Sequence, residues 1–330
     1  MGATPGTISV ATRDMVLVAK HLRKAFKVRG TGGRFTRPSA VVTAVDDVSF
    51  EVETGETLGI VGESGCGKST VARLVTGLLA PDSGTVEVGG AVSEQVRRRR
   101  RAPAPVQMVF QDPTASLDPR MRVRDSVGEA LVNVPRSVRE IRTAAAVTQV
   151  GLSPSVLERY PHELSGGEAQ RVCVARATVS GPKVVVLDEA VSALDVSTQS
   201  MILEMLAELQ EEVRVGYVFI SHDLRAVRRL SDCIVVMYFG QIVEVAPVVD
   251  GTCELVHPYS VALRSAETLI GEGSRRIVLE GEPPSGIGVP SGCRFASRCP
   301  VARERCRSEP PLLVGNERRA VACHYPGSLG

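Results

Sequence analysis

Leu164-Ser165-Gly166-Gly167-Glu168 is the stretch on which the reading of this chain turns. Serine is a preferred residue just before a helix, where its hydroxyl accepts a first-turn amide. Two glycines after it let the opening turn lie close to whatever it faces. Such a helix start, with a hydroxyl beside unpaired amides, is an anion site. Two further elements flank it. Upstream lies Gly62-Glu63-Ser64-Gly65-Cys66-Gly67-Lys68-Ser69-Thr70, and downstream Asp188-Glu189 closes the apolar run Val184-Val185-Val186-Leu187.

The upstream element follows a short apolar segment, residues 57–61, and precedes a helical pattern over residues 68–79. Glycines there let the backbone turn so that successive amides point inward at phosphates, and the following helix adds its positive end. In that arrangement Lys68 reaches the β- and γ-phosphates and Ser69 ligates Mg²⁺. The downstream run, apolar and β-branched without alternation, is the pattern of a parallel strand buried on both faces. Asp188 at its end can hold Mg²⁺ through water, and Glu189 is placed to be the general base toward an attacking water.

Around these elements the chain reads as alternating strands and helices. Strands are expected at residues 16–27, 41–52, 57–61, 106–110, 183–187, 215–220 and 234–237, with a turn at Pro81-Asp82-Ser83-Gly84. Residues 113–163 change to helical periodicity, as in 123–134 and 138–150, and are read as a helical subdomain inserted into an α/β core. Residues 197–212 are helical. Residues 30–38 form a glycine-rich basic loop, and 283–290 a Pro/Gly-rich linker.

The 330 residues allow one large domain or two, and 43 % hydrophobic content is ordinary for a globular chain. A net charge of +2 argues against a nucleic-acid partner. Arg97–Arg101 is accordingly read as a solvated helix face. No apolar run reaches the roughly 18 residues a membrane span needs. The first residues lack the apolar centre of a secretory signal, so the expected address is cytosolic, free or docked on a membrane partner.

Eight cysteines are unevenly spread; Cys293-x5-Cys299-x6-Cys306-x16-Cys323 crowd the C-terminal segment. Clustered thiols in a reducing compartment favour a soft metal over a disulfide framework. The spacing matches neither the tight pairs of structural zinc nor ferredoxin runs, so iron–sulfur, zinc and unliganded or disulfide-paired thiols all stay open.

The three elements together resemble the ATP-binding subunit of an ATP-binding cassette (ABC) transporter, over nearly the whole chain. GESGCGKST at 62–70, FQDPTASLDP at 110–119, DEAVSALDVS at 188–197, His257-Pro258-Tyr259 and the cysteine tail narrow the likeness to importers of oligopeptides and dipeptides, with nickel and glutathione relatives. The resemblance implies an α/β P-loop NTPase cassette with a mixed sheet core, an antiparallel β subdomain, an inserted helical subdomain and a small Cys-rich extension. The implied division is a tail at 1–14, a nucleotide-binding domain at 15–250 with its insertion at about 113–165, and the extension at 251–330.

It also implies roles for individual residues. Phe26 would stack on adenine, against a plain core reading for a lone aromatic. Gln111 would touch Mg²⁺ and the attacking water, and His222 the γ-phosphate. Leu164, Ser165, Gly166, Gly167 and Glu168 would cap the ATP bound by a partner subunit, across an interface crossed by Ser192, Ala193, Leu194 and Asp195. Glu168 stands where the family more often has Gln, and Ala190 where it usually has Pro. The implied cofactors are ATP, Mg²⁺ and a [4Fe–4S] cluster on the four tail cysteines, zinc being the alternative.

The implied partners are two transmembrane permease subunits, a second ATPase subunit in a heterodimer, and an extracytoplasmic substrate-binding protein. The chain would sit at the cytoplasmic face of the membrane. A soluble ABC ATPase acting on nucleic acid or ribosomes is the rival. Such proteins usually carry a long coiled coil or two cassettes, and this chain has neither.

Overall fold

The computed structural model describes residues 14–29, 39–92, 104–267, 277–281 and 290–329. The glycine-rich segment 30–38, the arginine run 97–101 and nearly all of the N-terminal tail and the 283–290 linker lie outside them.

Two sheets form the frame. An antiparallel sheet is built from β1 (Met15–Arg29), β2 (Ser39–Glu53), β4 (Ser83–Val88) and β5 (Ala91–Val92), in the order β2-β1-β4-β5. The second sheet runs β11-β12-β10-β9-β3-β8-β7-β6, with β3 Thr57–Val61, β6 Val106–Val109, β7 Val184–Asp188, β8 Gly216–Ile220, β9 Cys233–Tyr238, β10 Gln241–Pro247, β11 Val314–Gly315 and β12 Ala320–Val321. From β9 to β6 the pairing is parallel. At the β10 edge it turns antiparallel, and the C-terminal extension adds the last two strands there.

The helices are α1 (Lys68–Val75), α2 (Pro113–Ser116), α3 (Val123–Gly128), α4 (Arg136–Gln149), α5 (Gly166–Thr178), α6 (Val196–Val213), α7 (Leu224–Leu230), α8 (Pro258–Glu267) and α9 (Glu304–Ser308). α2 to α4 and two short 3₁₀ turns fill the stretch between β6 and α5.

The apolar run of β7 has a direct packing reason. Val185 and Leu187 join a core with α5 and α6, while Val184 and Val186 join another with β1, β2 and α1. Side chains alternate faces along a strand, so a strand covered on both sides must be apolar throughout. β3 and β8 are buried along their full length for the same reason.

Several boundaries differ from the sequence reading. α1 stops at Val75 rather than near residue 79, because Gly77 takes a left-handed conformation (φ 69°) that ends the helix. The expected turn at residues 81–84 is already the start of β4: Asp82 is held by Lys24 Nζ (2.6 Å) and the Ala25 amide (2.8 Å), which lays the segment along β1. Strands β4, β5, β10, β11 and β12 have no counterpart in that reading. The helical pattern at 123–134 is a shorter helix ending at Gly128. Among the described residues no helix is long and apolar enough to cross a membrane.

Candidate active site

Parallel strands end together, and loops leaving their C-terminal ends share one crevice. Here β3 delivers the glycine-rich loop, β6 delivers Gln111, β7 ends in Asp188 and Glu189, and β8 delivers His222. Register supports the convergence: Val109 pairs with Leu187, and Asp188 with Ile220.

The loop is shaped by close approach. A Cβ on Gly67 (φ 111°) would lie 2.2 Å from the Ala44 carbonyl oxygen, and one on Gly62 would lie 2.3 Å from that of Met237. The Lys68 side chain folds back across the loop, where Nζ donates to the Gly62 carbonyl at 2.7 Å and the Glu63 carbonyl at 3.0 Å. Ser69 Oγ donates to Asp188 Oδ1 at 3.3 Å. Burial raises the Asp188 carboxyl above its ordinary range, and the neighbouring Glu189 charge adds to this against the Ser69 hydroxyl.

Glu189 is the meeting point of three strands. Its Oε2 accepts from Gln111 Nε2 at 3.2 Å and lies 3.2 Å from His222 Nδ1. Its backbone is left-handed (φ 51°), a conformation that costs a non-glycine residue on the order of 1–3 kcal/mol. The peptide is held there by the Ile220 carbonyl, which accepts the Glu189 amide, and by Ser192 Oγ, which donates to the Glu189 carbonyl (2.8 Å).

Phe26 is 39 % exposed with Lys24 Nζ 6.0 Å from its ring centroid, so it is not a core residue.

The signature segment is a second centre. Ser165 caps α5, and Ser165 and Glu168 form a reciprocal capping box: Ser165 Oγ accepts the Glu168 amide, and Glu168 Oε2 accepts the Ser165 amide at 2.9 Å. Those hydrogen bonds lower the Glu168 carboxyl below its ordinary range, helped by the charge of Arg159 (3.2 Å). The acidic fifth residue of the motif is therefore held ionised, with its charge partly offset by the Ser165 amide and Arg159.

Asp195 caps α6, accepting the Thr198 amide (3.0 Å) and hydroxyl (2.7 Å), which together with Ser197 hold its carboxyl far below the usual range. Ser165, Gly166, Gly167, Ala193, Leu194 and Asp195 all line one cleft of about 640 Å³, which no residue of the phosphate loop reaches.

All eight cysteines are free. The four tail thiols are neighbours: burial pushes the Cys293 thiol up to about 11, and Cys306, Cys323 and Cys299 add to the effect. The Tyr325 amide donates to Cys323 Sγ (3.4 Å), and the backbone at Phe295 and at Val301 lowers the Cys293 and Cys299 thiols against the larger effect of burial. Among the described residues, no three Cys, His, Asp or Glu side chains converge tightly enough for one metal ion.

Two contacts on the loop come from the far end of the chain, Tyr259 and Arg298 on Glu63. The sequence marks Tyr259 only through the His-Pro-Tyr triplet and Arg298 not at all.

Comparison with known proteins agrees with this geometry. Residues 45–192 match the family described as "ABC transporter", and 243–306 match "Oligopeptide/dipeptide transporter, C-terminal region". The di/tripeptide transport ATP-binding protein DppF of Pseudomonas aeruginosa is 44 % identical over 94 % of this chain and 98 % of its own length. The oligopeptide transport ATP-binding protein OppF of Escherichia coli is 41 % identical over 94 % of this chain and 96 % of its own. Among solved structures, the ATP-binding cassette MJ0796, dimeric and bound to ADP and phosphate, superposes with a TM-score of 0.60 at 25 % identity, covering 71 % of this chain and 99 % of that one. With these matches over both the nucleotide-binding and the C-terminal regions, the protein belongs to the ABC transporter family, as an ATP-binding, ATP-hydrolysing subunit of its oligopeptide/dipeptide branch.

Proposed function

We propose that this subunit drives a peptide importer from the cytoplasmic face of the cell membrane. Two membrane-spanning permease subunits carry it, a second, non-identical ATPase subunit pairs with it, and an extracytoplasmic binding protein delivers the cargo. The nucleotide-binding unit spans residues 15–250, with its helical insertion at about 113–165, and the extension spans 251–330. The observation that carries this reading is the meeting of Gln111 and His222 on Glu189, beside the Lys68 loop, in a chain whose C-terminal region matches the oligopeptide/dipeptide type.

In this reading Lys68 and the amides of residues 62–67 hold the β- and γ-phosphates, and Phe26 stacks on adenine. The hard oxygens of Ser69, Asp188 and Gln111 suit Mg²⁺, which neutralises phosphate charge when bound. Glu189 Oε2 takes the proton of the attacking water. Gln111 and His222 fix that oxygen, and His222 also faces the γ-phosphate. The strained Glu189 backbone keeps the carboxylate aimed, so little reorganisation is needed at the moment of reaction.

The cleft lined by Ser165, Gly166, Gly167, Ala193, Leu194 and Asp195 supports a head-to-tail pair, in which each signature helix caps the ATP held by the other subunit. ATP then closes the pair and hydrolysis releases it.

Cys293, Cys299, Cys306 and Cys323 are proposed to hold a [4Fe–4S] cluster, with zinc the alternative. Amides directed at sulfur stabilise thiolate ligands and tune such clusters. Iron and acid-labile sulfide in protein purified without oxygen would support it; four-thiol zinc or no metal would refute it.

The test of the whole reading is mass spectrometry of proteins co-purified from detergent-solubilised membranes, with peptide uptake measured in a deletion strain. Recovery of two multispanning subunits, a sister ATPase and a binding protein, with loss of uptake, is expected. Recovery only with ribosomal or DNA-repair proteins would overturn it.

A further inference from the structure

Glu63 is an odd residue to find in a loop that holds phosphates. A carboxylate beside a triphosphate repels it. Its surroundings give it another use. Glu63 Oε2 accepts from Arg298 Nη1 at 2.8 Å, and the Arg298 side chain is only 8 % exposed. The Glu63 amide donates to Tyr259 Oη at 2.8 Å. One residue of the phosphate loop is thus gripped at both side chain and main chain by the C-terminal extension.

That grip is itself braced. Phe295 packs edge-on against Tyr238 (5.2 Å between ring centroids) and tilted against Tyr259 (5.4 Å), all three rings being buried. Arg294 donates to the Phe239 carbonyl at 2.5 Å and to Asp46. The next amide, Gly240, donates to the Cys66 carbonyl of the phosphate loop at 2.9 Å. Arg294, Phe295 and Arg298 all lie between Cys293 and Cys299, so this short segment meets the phosphate loop directly through Arg298 and indirectly through Tyr259 and residues 239–240.

We propose that Arg298, with Tyr259, is a positioning residue for ATP that acts through Glu63. Pairing with Arg298 offsets the Glu63 charge and draws the carboxylate toward the extension. The Tyr259 hydroxyl fixes the peptide from which the loop's amides are aimed. Displacements of a fraction of an ångström in such a loop weaken every amide–phosphate contact together. The proposal rests on the ATP-site reading given above.

The experiment is equilibrium binding of a fluorescent ATP analogue with Mg²⁺ to the purified full-length chain. Variants are Arg298→Met, Arg298→Lys, Tyr259→Phe, Glu63→Gln and the Arg298→Met/Glu63→Gln pair. Arg298→Met should weaken binding about tenfold, and Arg298→Lys should restore most of it, because it keeps the charge near Glu63. In the Glu63→Gln background, which has no charge to offset, the same Arg298→Met change should cost less than about twofold. In the assembled ATPase the Arg298→Met defect should appear in KM for ATP and leave kcat nearly unchanged.

Should Arg298→Met fail to fold, Tyr259→Phe, which keeps the buried ring, and Arg298→Lys carry the test, and Tyr259→Phe alone should weaken binding about threefold. Wild-type affinity in Arg298→Met or, where that does not fold, in Tyr259→Phe would overturn the proposal. A tenfold loss that persists without the Glu63 charge would do the same. Absence of ATP binding by the unmutated chain would remove the underlying site reading as well.

Discussion

Glu189 Oε2 stands 3.2 Å from His222 Nδ1, and that contact links the residues that follow β7 and β8. Gln111 reaches the same oxygen from the end of β6, so one carboxylate oxygen holds together the ends of three adjacent strands. Glu189→Gln should therefore lower ATP turnover about 10²- to 10⁴-fold, equivalent to roughly 3–5 kcal/mol of barrier. ATP binding should stay within a few-fold of wild type. Steady-state ATPase assays paired with nucleotide titration check it; unchanged turnover would remove Glu189 from the role of base.

Asp188 trades stability for its place in the site. Burial raises its folded carboxyl pKa. For a carboxyl raised on folding, stability is full below the unfolded value near 3.9 and is lost as pH rises through the folded value. Asp188→Asn should thus raise the melting temperature of the nucleotide-free protein at neutral pH, by roughly 2–4 °C if about 1 kcal/mol is recovered. The gain should vanish as the pH approaches about 4. Mg²⁺-dependent turnover should be lost at the same time. Scanning calorimetry across pH reads the first effect, and a gain that does not depend on pH would show that the buried charge is not its source.

Glu168 has the opposite sign. Its folded pKa is lowered by the Ser165 amide and hydroxyl and by Arg159, so its contribution is present above the unfolded value near 4.3 and lost as pH falls through the folded one. Glu168→Gln should cost no more than about 1 kcal/mol near neutrality, with the deficit closing in acid. Ser165→Ala removes the hydroxyl cap itself and should cost about 1 kcal/mol, most of which persists in acid because the backbone amide it caps does not titrate. Denaturant unfolding at two pH values separates the two. Equal pH dependence in both variants would contradict the capping-box account.

Gly67→Ala should abolish ATP binding and destabilise the fold by more than about 1–3 kcal/mol, because it combines a positive φ with a Cβ driven against the Ala44 carbonyl. Gly65→Ala is the informative control. Its φ is also positive (79°), yet nothing lies within 4 Å of its Cβ, so only the conformational part of the penalty applies. Thermal melts and nucleotide binding of the two variants, measured side by side, test whether the close approach matters beyond the backbone angle. Indistinguishable losses would mean that it does not.

Much of this protein was legible one residue at a time. The Gly62–Thr70 loop, the β7 run ending in Asp188-Glu189, the Ser165 cap and the length of α6 all follow from local rules. Glycines mark turns, apolar β-branched residues mark buried strands, and hydroxyls or carboxylates mark helix starts. These signals survive without tertiary information because the physical cause lies within a few residues of the mark.

The antiparallel strands carry weaker signals. β4 begins at Ser83-Gly84, residues that by themselves spell a turn, and becomes a strand because Lys24 and Ala25 hold Asp82 beside β1. β10 is a strand because β9 is its neighbour, and β12 because β10 is.

The sequence by itself determined the loop, the Asp188-Glu189 end of β7 and the Ser165 cap, since each is set by short-range sterics and hydrogen bonding. Tertiary structure alone decided that Gln111 and His222 share one oxygen of Glu189. It also decided that Tyr259 and Arg298 reach back 196 and 235 residues to Glu63. Those meetings depend on strand order and on where the last segment docks, and such long-range contacts leave no periodicity in a sequence to read.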